Sequence, residues 1–379
     1  MIREILGDGL TGGRAKNGDS PEFVILTQGQ LRRRKFLKHK VAVVASVVLV
    51  ILYVASVFAE FFAPYGPTHG FSDYSHAPPQ RIHFIDAEGK FHIVPFVYQR
   101  VGSRDPETLR FVYREDTTQI RPLRLFVRGD EYAMWGIIRG DLHLFGVKDD
   151  TVFLLGTDQR GRDLLSRLIF GGRISLSVGI VGVLIIVVLG SIIGTISGYY
   201  GGPVDMVIQR VIEVLRTLPQ LALWMALSAA IPPKWPSLYI YFGIIVIGGL
   251  INWTGLAREV RGKVLAIRQS EYIFAAEVTG ASVTRILFVH IIPSVSSHII
   301  VTATLMIPVM ILGESALSFL GLGIKPPLVS WGLLLNQVGE IQLLKHFPWL
   351  MFPALFIVVS ILCFNFMGDA LRDAIDPFA

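Results

Sequence analysis

Six apolar stretches, each near the length a lipid bilayer demands, divide this chain and leave few ways for it to fold. They lie at about 41–62, 174–199, 210–231, 238–256, 296–318 and 348–368. A helix needs roughly 20 apolar residues to cross a hydrocarbon core, where every backbone polar group must be satisfied within the segment itself. The third and fifth runs are weaker, because Arg210, Glu213 and Arg216 crowd the start of one and Glu314 sits near the end of the other. With 52% hydrophobic and only 17% charged residues among 379, a water-facing surface has too little polar material to cover the chain. The expected fold class is an all-α polytopic membrane protein with six transmembrane helices.

Basic residues set the orientation. Arg32, Arg33, Arg34, Lys35, Lys38 and Lys40 stand just before the first run, and Arg258, Arg261, Lys263, Arg268 and Arg285 outnumber three glutamates in the 257–295 loop. The positive-inside rule then puts the amino terminus and that loop in the cytoplasm, and an even number of spans returns the carboxy terminus there. The net charge of +6 reads as these flanks and not as a nucleic-acid surface. The first run has about 40 residues before it and 19 without a charge, more than a cleaved signal usually has. It reads as an uncleaved first span. Cys363 is the single cysteine, so no disulfide forms within the chain.

The expected organisation is a cytoplasmic tail over 1–40, a first span over 41–63, an insertion over 64–170 and a five-helix core over 171–379. Residues 1–30 are Gly-rich and polar, and read as flexible. The insertion, extracytoplasmic on this orientation, has near-balanced charge and short alternating runs at Phe91–Tyr98 and Leu123–Arg128. Alternation with β-branched and aromatic residues predicts strands, so the insertion reads as a small β-leaning unit.

Pro219 and Pro308 are expected to kink their helices. Gly190, Gly194 and Gly198 place a bare face on the second span, which predicts close packing against another helix. Arg210, Glu213 and Arg216, three residues apart, read as pairs along one helix face. Asp158, Arg160, Arg162 and Asp163 read as a salt-bridged surface at a helix start, with Asp158 as its cap. Glu314 has no partner nearby in sequence. It is expected at the outer mouth, against the insertion or a receptor, or else in water. Asn252, Trp253 and Thr302 are candidates for a polar pathway.

Absences narrow the chemistry. There is no G-x-x-x-x-G-K-[ST] loop for nucleotide phosphates, no HExxH-type metal spacing and no G-x-S-x-G nucleophile elbow. The centres of the first, second, fourth and sixth runs carry no charge, which weighs against an ion-coupled secondary transporter or channel. A membrane-anchored enzyme would need a catalytic constellation in the insertion, and none is present.

The segment Glu271–Pro293, EYIFAAEVTGASVTRILFVHIIP, resembles the EAA loop of ABC-importer permeases. Four more segments follow the pattern of dipeptide/oligopeptide-type permeases in order: GTDQRGRDLLSRLIFGGRISL from Gly156, GYYGGPVDMVIQR from Gly198, ESALSFLGLGIKPPLVSWG from Glu314 and GDALRDAIDP from Gly368. The long 64–155 insertion departs from it. The resemblance is to the second, C-type permease subunit of such an importer, in a bacterial or archaeal cytoplasmic membrane. It implies a homologous second permease, two ATP-binding-cassette ATPase subunits, an extracytoplasmic solute-binding protein and a peptide cargo. An oligosaccharide or another small polar solute is the alternative. The chain itself would be no enzyme and hold no cofactor, ATP and magnesium being used by the partner ATPases. Glu271, Ala275, Ala276, Gly280 and Pro293 would form the ATPase-coupling loop, with Gly280 at a tight turn and Pro293 ending the loop's second helix.

Overall fold

The structure, a computed structural model, describes residues 27–104, 111–148, 150–339 and 341–375. Most of the expected amino-terminal tail lies outside these residues. Thr27 caps a helix: its Oγ1 accepts from the Gln30 amide at 3.4 Å while Gln30 Oε1 accepts from the Thr27 amide at 3.0 Å. This reciprocal pair satisfies two orphan donors and starts α1, Gln28–Lys38. Helix α2, Lys40–Val57, is apolar on all sides, and Val44, Val47, Val50 and Ile51 remain exposed, as suits a lipid-facing span. A single turn, α3, covers Ala59–Phe62.

The insertion is built of antiparallel strands. β1 (His83–Ile85), β2 (Phe91–Arg104) and β3 (Phe111–Pro122) form one sheet in that order, and β4 (Arg124–Met134) pairs with β5 (Ile138–Gly146). The alternating run Phe91–Tyr98 falls on β2, and the run Leu123–Arg128 falls on β4 apart from Leu123. The chain enters and leaves this block side by side. The Gln80 amide donates to the Phe153 carbonyl at 3.0 Å, and Gln80 Oε1 accepts from the Phe153 amide at 2.6 Å. Lower down, the Thr157 amide donates to Ala77 O at 2.9 Å.

The core begins with α4, Leu164–Tyr200, a helix of 37 residues. α5 (Gly202–Thr217) and α6 (Gln220–Ala229) meet at an angle of 85°, with Leu218 and Pro219 in the break. The third apolar run is therefore two helices, not one kinked span. Proline lacks the amide that would continue the ladder, and the preceding Leu218 takes an extended ψ of 139°. α7 (Ser237–Ile267), α8 (Glu271–Val278) and the short α9 (Val283–Arg285) follow. One turn of π-helix, Ile286–Ile291, then leads directly into α10, Ile292–Phe319. α11 (Trp331–Asn336), α12 (Ile341–His346) and α13 (Phe352–Ile375) complete the chain.

Among the described residues five helical segments are long and apolar enough to cross a membrane, or six if the bent α5–α6 pair counts as one. Helix α4 is the axis of the bundle. A Cβ added at Gly190 would lie 2.9 Å from Leu256, at Gly194 2.5 Å from the Ala257 carbonyl, and at Gly198 2.8 Å from Val264. The small-residue face of α4 is thus the seat of α7. On another side Trp331, 1% exposed, lies against Gly171 and Gly172 and donates from Nε1 to Leu168 O at 2.9 Å.

Two charge assignments from the sequence change. Asp163, not Asp158, caps α4, accepting from the Ser166 amide at 2.7 Å and its hydroxyl at 2.6 Å. Asp158 is buried, not on a salt-bridged surface. It accepts from the amides of Arg160 and Arg162 at 2.9 and 3.0 Å, from Arg162 Nε at 2.8 Å and from buried Arg167. The Asp158–Arg167 pair joins parts of the chain nine residues apart, which a reading of local spacing assigns to surface pairing. By contrast Arg210 and Glu213 do pair on an exposed helix face, at 2.9 Å.

Candidate functional site

At the far end of α4 the 257–295 segment folds into a small, firmly held crest. α8 closes with a Schellman motif: the Gly280 amide donates to Glu277 O and the Ala281 amide to Ala276 O, both at 3.0 Å. Gly280 takes φ +78°, a left-handed conformation that only glycine enters without cost. Beneath, Ile273 is fully buried and Ala276 and Ala281 pack beside it in the main apolar core. Polar ties fix α8 to the end of α4. Tyr199 Oη donates to Glu277 Oε1 at 2.9 Å, and Arg268 Nη1 donates to the carbonyls of Gly198 and Tyr199, each at 3.2 Å.

On the outward side Tyr272, Phe274 and Val278 stand clear of the chain, Phe274 at 66% and Val278 at 72% exposure. These exposed apolar side chains stand together around a turn whose base is packed and hydrogen-bonded. Of the residues expected in this loop, Glu271 and Ala275 are exposed, Ala276 is half-buried and Gly280 is at the turn. Pro293 is placed differently from the expectation. It does not end a loop helix, because the π-turn and α10 run on through it without a break. In a π-turn the ladder shifts register by one residue, which accommodates a ring that has no amide to donate. Sequence reasoning missed Tyr199, Arg268 and the aromatic crest itself. An aromatic pair inside an otherwise polar loop was the available signal.

Beside this crest a cavity of about 1250 Å³ opens between α1, the end of α7, the first turns of α10 and the end of α13. On its wall Glu259 Oε2 accepts from Thr302 Oγ1 at 3.0 Å and meets His298 Nε2 at 3.2 Å. Arg32, Lys263 and Arg372 also line it. Thr302 is the one pathway candidate that faces this space. Asn252 is buried, accepting from Gln220 Nε2 at 2.6 Å and donating to Gly248 O at 2.8 Å, and Trp253 packs with Ile212 and Ala257.

Glu314 is neither in water nor facing a receptor, and this overturns both expectations for it. It is 0% exposed and accepts from Ser318 Oγ at 2.6 Å and Ser175 Oγ at 3.2 Å. Those hydroxyls in turn accept from the Ile324 amide at 2.9 Å and the Trp331 amide at 3.1 Å. The carboxyl thus pins the loop after α10 onto α4.

Comparisons with known proteins agree with this architecture. Residues 168–379 match the family described as binding-protein-dependent transport system inner membrane component, and residues 27–79 match the N-terminal TM domain of oligopeptide transport permease C. The oligopeptide transport system permease protein OppC of Haemophilus influenzae is 46% identical over 223 residues, 59% of this chain and 69% of that protein. OppC of Escherichia coli is 45% identical over 228 residues, covering 59% and 71%. The dipeptide transport system permease protein DppC of Lactococcus lactis is 33% identical over 374 residues, 96% of each chain. A crystal structure of an amino acid ABC transporter with histidines aligns at 19% identity over 54% of this chain and 92% of its own, with a TM-score of 0.40, a likeness that decides nothing. The chain belongs to the binding-protein-dependent transport system inner membrane component family, as a multi-pass permease subunit of an ABC importer and not an enzyme.

Proposed function

We propose that this chain is half of the transmembrane pathway of an importer that takes up short peptides. Its pore would be completed by a homologous permease, two ATPase subunits would dock on its cytoplasmic face, and a solute-binding protein would deliver cargo from outside. In this reading six spans, the third broken at Pro219, leave both termini in the cytoplasm and the β-rich block outside. ATP and magnesium would be used by the ATPase subunits and not held here. The observation that carries the reading is the crest: Tyr272, Phe274 and Val278 exposed around the Gly280 turn, on a base tied to α4. A rigid projection passes a partner's movement into the spans, whereas a mobile loop would absorb it. Glu271, Ala275 and Ala276 belong to the same docking face, and Pro293 leads the movement into α10. Thr302, with Glu259 and His298, would line the cytoplasmic mouth of the path. The peptide assignment comes from the OppC and DppC relatives.

The test is uptake of labelled dipeptides, longer peptides and oligosaccharides by cells carrying the complete system, with Gly280→Trp in parallel. Peptide uptake that the variant abolishes, while the permease remains in the membrane, is the expected result. Oligosaccharide uptake alone would replace the cargo and keep the architecture. Undiminished uptake by the variant would remove the coupling role.

A further inference from the structure

The β4–β5 hairpin carries an unusual tip. Hairpin turns ordinarily favour Asn, Asp and Gly, yet here the turn is Met134–Trp135–Gly136–Ile137–Ile138. Trp135 takes φ +51°, a conformation that bulky side chains avoid, so surrounding contacts must hold it there. Trp135 is 52% exposed, Ile137 81% and Ile138 56%. Residues 133–138 contain no charge, while Arg128, Asp130, Glu131, Arg139 and Asp141 lie on the strands behind them.

Four contacts fix the direction in which this tip points. Near the base of the hairpin, His143 Nδ1 donates to the Ala63 carbonyl at 2.6 Å. At the tip, Trp135 Nε1 donates to the Val57 carbonyl at 3.1 Å and its ring lies 5.8 Å from that of Phe58. Also near the base, Phe126 sits 6.3 Å from Phe61. Val57 is the last residue of the apolar span α2, and Ala63 lies beyond it on the way out. The hairpin therefore folds back along α3 toward the membrane, and its uncharged tip reaches the level at which the span ends.

We infer that this tip is seated in the interfacial layer of the bilayer beside the Val57 end of α2, with phospholipid as its partner. Indole at this depth keeps its ring among acyl chains and headgroups, as interfacial aromatics do, while its N–H is satisfied here by the Val57 carbonyl. Ile137 and Ile138 enter the upper acyl region, and Arg139 on the strand above them is placed to meet headgroup phosphates. The surface is continuous with the lipid-facing side of α2, where Val50, Ile51 and Val54 are exposed.

The experiment uses the complete transporter in liposomes, with Cys363→Ser as background and a polarity-sensitive dye on Ile137→Cys. A second label on Lys148→Cys, an exposed site past the hairpin base, serves as the water reference. Quenching is compared for lipids brominated near the headgroup and for iodide in water. The expected result is blue-shifted emission at 137, quenched by brominated lipid and spared by iodide, with the opposite at 148. Iodide quenching at 137 equal to that at 148 would overturn the inference, leaving the tip in water. Resistance at 137 to both quenchers would overturn it as well, because the tip would then be covered by another subunit.

Discussion

Gly280 has open space where a side chain would project, so its backbone angle and not crowding fixes the residue. Gly280→Asn, which tolerates the left-handed region, should keep most peptide uptake. Gly280→Val should lose it, since a β-branched residue at this φ costs at least about 1–2 kcal/mol and would unseat the turn. The buried Asp158–Arg167 pair answers to a different force. Arg167→Met removes one of the two guanidinium groups on the buried Asp158 carboxylate, Arg162 remaining on it, and should cost about 1.5–3 kcal/mol, seen as a drop in thermal midpoint in detergent. Asp163 gives a pH signature: burial lifts its carboxyl from 3.8 to about 6, against hydrogen bonds from Ser166 that pull it down. Its folded value exceeds its unfolded one, so its contribution is complete below about pH 4 and is lost as pH rises through about 6. Asp163→Asn, still a good cap, should flatten the pH dependence of thermal stability across that window. At this scale the sequence was partly legible. Gly280 announced its turn through local spacing. Glu314 did not announce its burial, because its partner Ser175 lies 139 residues away and only the packing of α10 on α4 brings them together.

Between elements, the contact of α4 with α7 depends on three glycines one turn apart. Gly194→Leu would drive a side chain into the Ala257 carbonyl, a backbone group that cannot swing aside. Overpacking of this kind costs about 1–3 kcal/mol, and the variant should show reduced assembly and a lower thermal midpoint. Gly262→Ala, on the same α7 but with nothing within 4 Å, should match the parent in both measurements. The glycine seam was readable because a period of four is a property of one helix. The break at Pro219 was readable as a kink, but its 85° was not, since a proline marks where a helix stops and not where the chain goes next. Pro293 misled for the same reason. Proline usually ends a helix, and a π-turn that lets one continue leaves no mark in the local sequence.

On the scale of the whole molecule, the β-rich block joins the core at a narrow neck and rests on the end of α2 and the residues just beyond it through the β4–β5 hairpin. The family matches stop at residue 79 and resume at 168, and Gln80 and Phe153 are already hydrogen-bonded across the neck of the block. Excising residues 81–150 and bridging the gap with a short Gly-Ser linker should leave a permease that enters the membrane and still co-purifies with ATPase subunits. Loss of the ATPases from that preparation would show that the block is required for assembly of the core. The class of molecule was legible from the six apolar runs, and the strands from alternation, whereas the neck was not. It pairs residues 73 apart through backbone amides that carry no sequence signature. That neck also has a consequence over evolutionary time. A block that leaves the scaffold and returns at one point is a cassette: lineages can lengthen, exchange or discard it while the spans keep their inherited places.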